Sequence, residues 1–169
     1  MRLYLGITLA ALTAASATAL AIMASSPALA RDSLGVFGDW GAFRDPETPR
    51  CYAIAQPERA NIPGGYATVG FWPTDRVRSQ IFLRFPRALD TRRAPALTIG
   101  SQRFLLSPRG ASAWARDARM DAAIVAAIRS ATSMSVTAIG ERGGTMTASW
   151  RLRGAATAID AAALGCARR

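Results

Sequence analysis

The chain has 169 residues, with no histidine, no lysine and two cysteines, and its 21 arginines against 11 acids give a net charge of +10 at pH 7. Without histidine the commonest general base and metal ligand are gone, and with them the usual serine and cysteine triads; without lysine, Schiff-base and Ser-Lys chemistry is gone as well. Two thiols are too few for a cysteine-held zinc, and the carboxylates are too scattered for a calcium loop, so neither a metal nor another cofactor is expected.

The N-terminus carries one cation, Arg2, then an apolar run from Leu3 to Met23, then Ser25-Ser26-Pro27-Ala28-Leu29-Ala30. That order of charge, apolar stretch and small residues is a secretory signal peptide over residues 1–30, cleaved after Ala30. An uncleaved anchor is the alternative, because the run approaches the roughly 20 residues a spanning helix needs; its dilution by Ala, Thr and Ser and the small-residue triplet behind it favour cleavage. No cysteine stands at the cleavage point, which closes the lipoprotein route. The remaining chain, residues 31–169, has the size of one domain and a net charge of +9.

Short stretches with strand character follow at close intervals: 34–40, 51–56, 66–72, 78–85, 96–100 and 103–107. Turn residues separate them, at Asp45-Pro46-Glu47-Thr48-Pro49, Ile62-Pro63-Gly64-Gly65 and Pro73-Thr74-Asp75. The spacing predicts an antiparallel β domain. Residues 118–130 place Met120, Ile124, Ala127 and Ile128 on one helical stripe, with Asp117 as N-cap and Arg129 near the C-terminal end. A hairpin is predicted over 132–152. Met146, Ala148, Trp150 and Leu152 alternate with polar residues in its second arm, Met134, Val136 and Ala138 repeat the period in the first, and Glu141-Arg142-Gly143-Gly144 makes the connection. An Ala-rich helix over 155–164 closes the chain, with Gly165 as its terminator. The fold class is therefore all-β, an antiparallel β-sandwich with two short helices.

Cys51 and Cys166 stand 115 positions apart. In an oxidising compartment an isolated pair most simply forms one disulfide, which by loop entropy stabilises the fold by about 5 kcal/mol at most. Free buried thiols or an intermolecular link are the alternatives. Nothing resembles a C-x-x-C redox pair.

The positive charge is concentrated: residues 76–119 hold ten arginines and two acids. Outside the cytoplasm such a region meets acidic lipid headgroups, lipopolysaccharide phosphates or acidic glycans rather than nucleic acid, and a guanidinium fork can hold phosphate or carboxylate with two hydrogen bonds. Arg84, Arg87, Arg92, Arg93, Arg103 and Arg109 are the candidate anion-binding residues. The competing reading is compositional, a chain that spells every cation as Arg and scatters it for solubility.

Two further site readings come from other residues. Paired carboxylates of a hydrolase would have to come from Asp39 with Glu58 or Asp75, although eleven acids among so many arginines mostly form ion pairs. Trp72, Trp114, Phe71 and Phe82 read first as core, with a sugar-binding platform as the alternative; Trp40 reads as core and Asp39 as an anchor of its strand or turn.

The segment Val36-Phe37-Gly38-Asp39-Trp40, followed by Cys51-Tyr52-Ala53-Ile54-Ala55-Gln56, resembles the opening of the invasion-associated locus B family of proteobacterial envelope proteins. Members typically begin with an F-G-D-W-like strand and continue with a cysteine-containing strand ending near Gln. The helix around Asp121 to Arg129, the hairpin, and Arg151 to Asp160 are similar to that family's closing part, with its S-L-x-G-F-x-x-A-x stretch. The likeness covers most of residues 31–169. Where members often carry a cysteine just after the Trp, this chain has Gly41-Ala42-Phe43, and Ser107-Pro108-Arg109-Gly110 stands where a later cysteine pair occurs, so the family's disulfides do not transfer. The resemblance implies a secreted or periplasmic β-rich domain, some relatives of which are linked to host-cell invasion, with no agreed activity or ligand.

The expected function is that of a non-enzymatic, exported envelope protein of this type, with no catalytic residues. It acts as a binding module whose partner is anionic lipid, lipopolysaccharide or an envelope protein, and its membrane contact is peripheral. A structural or stress-related periplasmic factor that meets another protein through an open sheet edge is the alternative, and a carboxylate hydrolase is the third.

Overall fold

The computed structural model describes residues 31–45, 47–61 and 63–167. The leader expected over 1–30 lies outside the described residues. Twelve strands and two helices follow in the order β1 (Asp32–Phe37), β2 (Trp40–Asp45), β3 (Arg50–Ala55), β4 (Arg59–Ala60), β5 (Tyr66–Trp72), β6 (Val77–Arg84), β7 (Ala96–Ile99), β8 (Gln102–Leu105), β9 (Ser107–Arg109), β10 (Ser112–Trp114), α1 (Ala118–Ser130), β11 (Ser133–Ile139), β12 (Thr145–Arg151) and α2 (Ala155–Ala167). The larger sheet has seven strands in the order β1-β2-β3-β5-β6-β10-β9, the smaller five in the order β4-β12-β11-β7-β8. Every pairing is antiparallel. The expected all-β sandwich with two short helices is the observed fold.

The β11–β12 hairpin forms in the register its alternation dictates, with Met134 opposite Trp150, Val136 opposite Ala148 and Ala138 opposite Met146. These side chains line the inner face of the smaller sheet while Ser133, Ser135 and Thr137 face out. The buried Trp150 indole donates to the carbonyl of Ala55 (3.2 Å), joining the two sheets. In α1 the Asp117 carboxylate accepts from the Met120 N–H at 2.8 Å, as its N-cap position predicts. The guanidinium of Arg129, in the last turn, pairs with Asp160 of α2 and ties the helices together.

α2 lies across β1, β2, β3 and β5. Its buried face is Ala155, Ala158, Ile159, Ala162 and Cys166, and beneath it lie the fully buried Ala42, Ala53 and Ala67. Small side chains on both surfaces let helix and sheet approach closely, which explains the alanine content of this helix. Gly165 does not terminate it. The helix runs on to Ala167, and a Cβ at Gly165 would meet the Leu34 side chain of β1 at 2.5 Å, so the glycine is a slot for that leucine. The continued turn carries Cys166 onto Cys51, and the two form the disulfide, with Cα atoms 5.8 Å apart.

The single strand expected over 34–40 is two strands, β1 and β2, because Gly38 adopts φ +58° and turns the chain back. That turn docks on the start of α2. The Asp39 N–H donates to the Arg153 carbonyl at 3.1 Å, the buried Trp40 indole donates to the Arg151 carbonyl at 2.9 Å, and the Asp39 carboxylate pairs with Arg153. A Cβ at Gly154 would collide with the Phe37 carbonyl. The F-G-D-W segment and the Arg151–Asp160 segment, far apart in sequence, are thus the two halves of one joint. No helix of the described residues is long and apolar enough to cross a membrane.

Candidate functional site

Strand alternation gives the larger sheet two unlike faces. In β6, Ile81 and Leu83 point into the core and Phe82 and Arg84 away from it; in β5, Ala67 and Val69 point in, and Tyr66 and Thr68 out. Residues directly opposite in antiparallel strands share a face, so the pairings assemble the outer surface row by row. One row runs Tyr66, Arg84, Ser112, Arg109 across β5, β6, β10 and β9. The next runs Ile54, Thr68, Phe82, Trp114, Ser107.

The aromatic rings of this face touch. Phe82 and Trp114 have centroids 4.5 Å apart, Tyr66 and Phe82 5.8 Å, and Phe43 and Tyr52 5.9 Å. Two glycines let rings lie against the backbone: a Cβ at Gly70 would collide with the Trp72 indole, and one at Gly41 would stand 2.8 Å from the Phe43 ring. Trp72, Phe82 and Trp114, read from the sequence first as core, are instead half-buried on this outer face. Phe71 alone of the four turns inward and packs against the core.

Two adjoining depressions mark the face. The first, about 400 Å³, is lined by aromatic rings including Tyr66, Trp72, Phe82 and Trp114, with Arg31 and Arg50 at its edge. The second, about 510 Å³, is polar, lined by Gln80, Ser107, Arg109 and Arg116. Trp114 belongs to both and forms the ridge between them.

The charges on this face are mostly guanidinium. Arg31 and Arg50 share one carboxylate, Asp45, at 3.5 and 2.7 Å. Arg50 also lies over the Tyr52 ring, 5.2 Å from its centroid. Burial, and then the charge of Asp45, push the Tyr52 hydroxyl above its ordinary pKa. Among the described residues Arg84 reaches only the Ser112 hydroxyl, at 3.3 Å. The ion pairs of the described residues run to Asp32, Asp39, Asp45, Glu58, Asp90 and Asp160, and none engages Arg84, Arg109 or Arg116.

Of the six candidate arginines, Arg84 and Arg109 thus share a row, with Ser112 between them. Arg87, Arg92 and Arg93 belong to the connection after β6. There Arg92 and Arg93 both pair with Asp90, whose carboxyl is held below its usual range chiefly by the hydrogen bond from the Arg92 N–H. Arg103 lies opposite Thr98, on the outer face of the smaller sheet. Tyr52, Tyr66, Arg31, Arg50 and Arg116 complete the site without having been singled out by sequence. The signal was present for Tyr66 and Tyr52, which stand next to residues of the opposite, apolar face.

Two of the three carboxylates considered for hydrolysis face cations. Asp39 pairs with Arg153 and Glu58 with Arg151, while Asp75 sits in the exposed turn after β5. Among the described residues no group of three or more Cys, Asp or Glu side chains could hold a metal ion. Asp121 has a supporting role. β10 pairs with β6 only at residues 82–84, and beyond that point the Ile81 N–H donates to the buried Asp121 carboxylate at 2.7 Å, so α1 holds the strand that carries Phe82 and Arg84. No family model, curated protein or solved structure matches the chain.

Proposed function

We propose that the chain is an exported, non-enzymatic envelope protein of the invasion-associated locus B type, and that the outer face of its larger sheet binds an anionic envelope component. The observation that carries this reading is the row in which Arg84 and Arg109 flank Ser112 with no carboxylate partner among the described residues. A guanidinium left without a counter-charge offers its planar fork to phosphate or carboxylate, and two of them two strands apart offer a divalent grip. The formed Cys51–Cys166 disulfide supports delivery to an oxidising compartment. The contact between the F-G-D-W turn and the Arg151–Asp160 segment supports the family reading, since the two stretches that carry the resemblance serve one structural purpose.

The test is binding to lipopolysaccharide and to vesicles of phosphatidylglycerol in phosphatidylcholine, followed across ionic strength. Binding is expected to weaken steeply with salt. The double variant Arg84→Gln/Arg109→Gln is expected to lose affinity about tenfold or more. Arg103→Gln/Arg142→Gln, which removes the same charge from the other sheet and its hairpin turn, is expected to stay close to the unaltered protein. Equal losses in both double variants would mean a diffuse charge effect and no site.

A further inference from the structure

We infer that the ligand of this face is an acidic polysaccharide, lying along the two depressions with a sugar ring stacked on Trp114. The inference rests on the anion-binding reading above and names the ligand class.

Three observations select a glycan over a lipid headgroup or a free phosphate. First, the rings are half-buried: Phe43 and Trp72 lie over the backbone at Gly41 and Gly70, and Phe82 and Trp114 are partly covered by their neighbours. A half-buried ring suits the apolar C–H face of a pyranose; membrane insertion needs aromatic side chains that protrude. Second, rings and polar groups are interleaved. Phe82 and Trp114 are flanked along their row by the exposed Ser107 and in the adjacent row by the exposed Arg84 and Arg109, which matches a ring whose faces are apolar and whose rim is polar. A phosphate alone would leave the aromatic surface unused.

Third, the positive charge stands at both ends. Arg31 and Arg50, with one carboxylate between them, border the aromatic depression, and Arg109 and Arg116 line the polar one beyond the Trp114 ridge. Both depressions, about 400 and 510 Å³, fall within the range of pockets that take small ligands. A single compact anion would need its cations convergent. Cations set apart along a continuous surface fit a polymer that repeats its carboxylate.

The experiment measures affinity for polygalacturonate, for the same polymer fully methyl-esterified, and for phosphatidylglycerol vesicles. The proteins compared are the unaltered chain, Trp114→Ala, Trp114→Phe and Arg84→Gln/Arg109→Gln, each checked for its native circular dichroism. The expected result is salt-sensitive binding of polygalacturonate, with weak binding of the esterified polymer. Trp114→Ala should lower polygalacturonate affinity about tenfold, Trp114→Phe should restore most of it, and vesicle binding should be little changed in either. If Trp114→Ala does not fold, Phe82→Ala serves in its place. Polygalacturonate binding that falls in the arginine variant but is indifferent to the rings would overturn the glycan inference and leave the anion reading standing, as would rings that matter equally for vesicles. Equal binding of the esterified polymer would overturn the acidic part. Binding of no anion at all would overturn both.

Discussion

Asp121 is the one buried carboxylate among the described residues, and the fold uses it as a substitute for a missing strand. Its oxygen takes the Ile81 N–H that β10 is too short to reach. Burial, and to a lesser degree the nearby Asp117, raise its pKa above the usual value, while the Ile81 hydrogen bond works against them. A raised carboxyl contributes its stability below the unfolded value of about 3.9 and loses it as pH climbs through the folded value. Asp90 and Asp160, lowered mainly by hydrogen bonds from Arg92 and Arg129, act in the opposite sense, since their contributions are present above the ordinary carboxylate range and disappear in acid. Asp121→Asn, which keeps the acceptor and removes the charge, is therefore expected to gain on the parent protein as pH rises from 4 to 7 in urea titrations. Asp121→Ala, which strands the Ile81 N–H, is expected to lose about 1–3 kcal/mol at pH 4, with the loss shrinking as pH rises. Equal stability of parent and Asp121→Asn at every pH would contradict the assigned cause. From sequence Asp121 was one exposed-type acid on a helix, because only the unequal lengths of β6 and β10 give it a task.

Elements with strict period were legible in advance, and those whose period is hidden were not. The β11–β12 hairpin alternates without fault and formed as expected, and α1 formed on the boundaries and cap that Asp117 announced. β5 is different. Ala67, Thr68, Val69 and Gly70 are all buried, since small outward residues are covered by neighbouring rings, and the alternation that would have sorted Phe71 from Trp72 is lost. β9 and β10 were not among the expected strands: each is three residues long, with Pro108 inside the first and Gly110 between them, and Pro108 sits harmlessly on an edge strand. Their absence from the sequence reading is why Trp114 could not be set beside Phe82. The edges themselves are guarded: β4, β8 and β9 are short, and β1 is broken by a register shift between Ser33 and Gly35, which disfavours pairing with another chain. The element that most depends on one bond is α2. Its surface is largely alanine, which buries little apolar area per residue, and the disulfide closes 115 positions of chain onto its last turn. Cys51→Ala/Cys166→Ala is expected to lower stability by about 2–5 kcal/mol in guanidinium titration. A variant as stable as the parent would mean that the Ala-on-Ala packing holds α2 unaided.

Across the whole molecule, the arginine excess is not spread evenly. Half-way round the sandwich the outer face of the smaller sheet carries Ser133, Ser135, Thr137 and Thr98, a polar surface with Arg103 and Arg151 at its margins, the latter paired with Glu58. The outer face of the larger sheet instead sets aromatic rings beside several guanidiniums, of which Arg31 and Arg50 share Asp45 and Arg84, Arg109 and Arg116 have no ion-pair partner among the described residues. Composition would make both faces alike. The difference between them is the physical content of the proposal, and it can be read at single side chains. In an NMR titration with short-chain polyphosphate, followed through arginine side-chain Nε–H signals, the account predicts saturable shifts at Arg84, Arg109 and Arg116 and little change at Arg103 and Arg142. Shifts of similar size at every exposed arginine, or shifts centred on Arg87, Arg92 and Arg93, would contradict it.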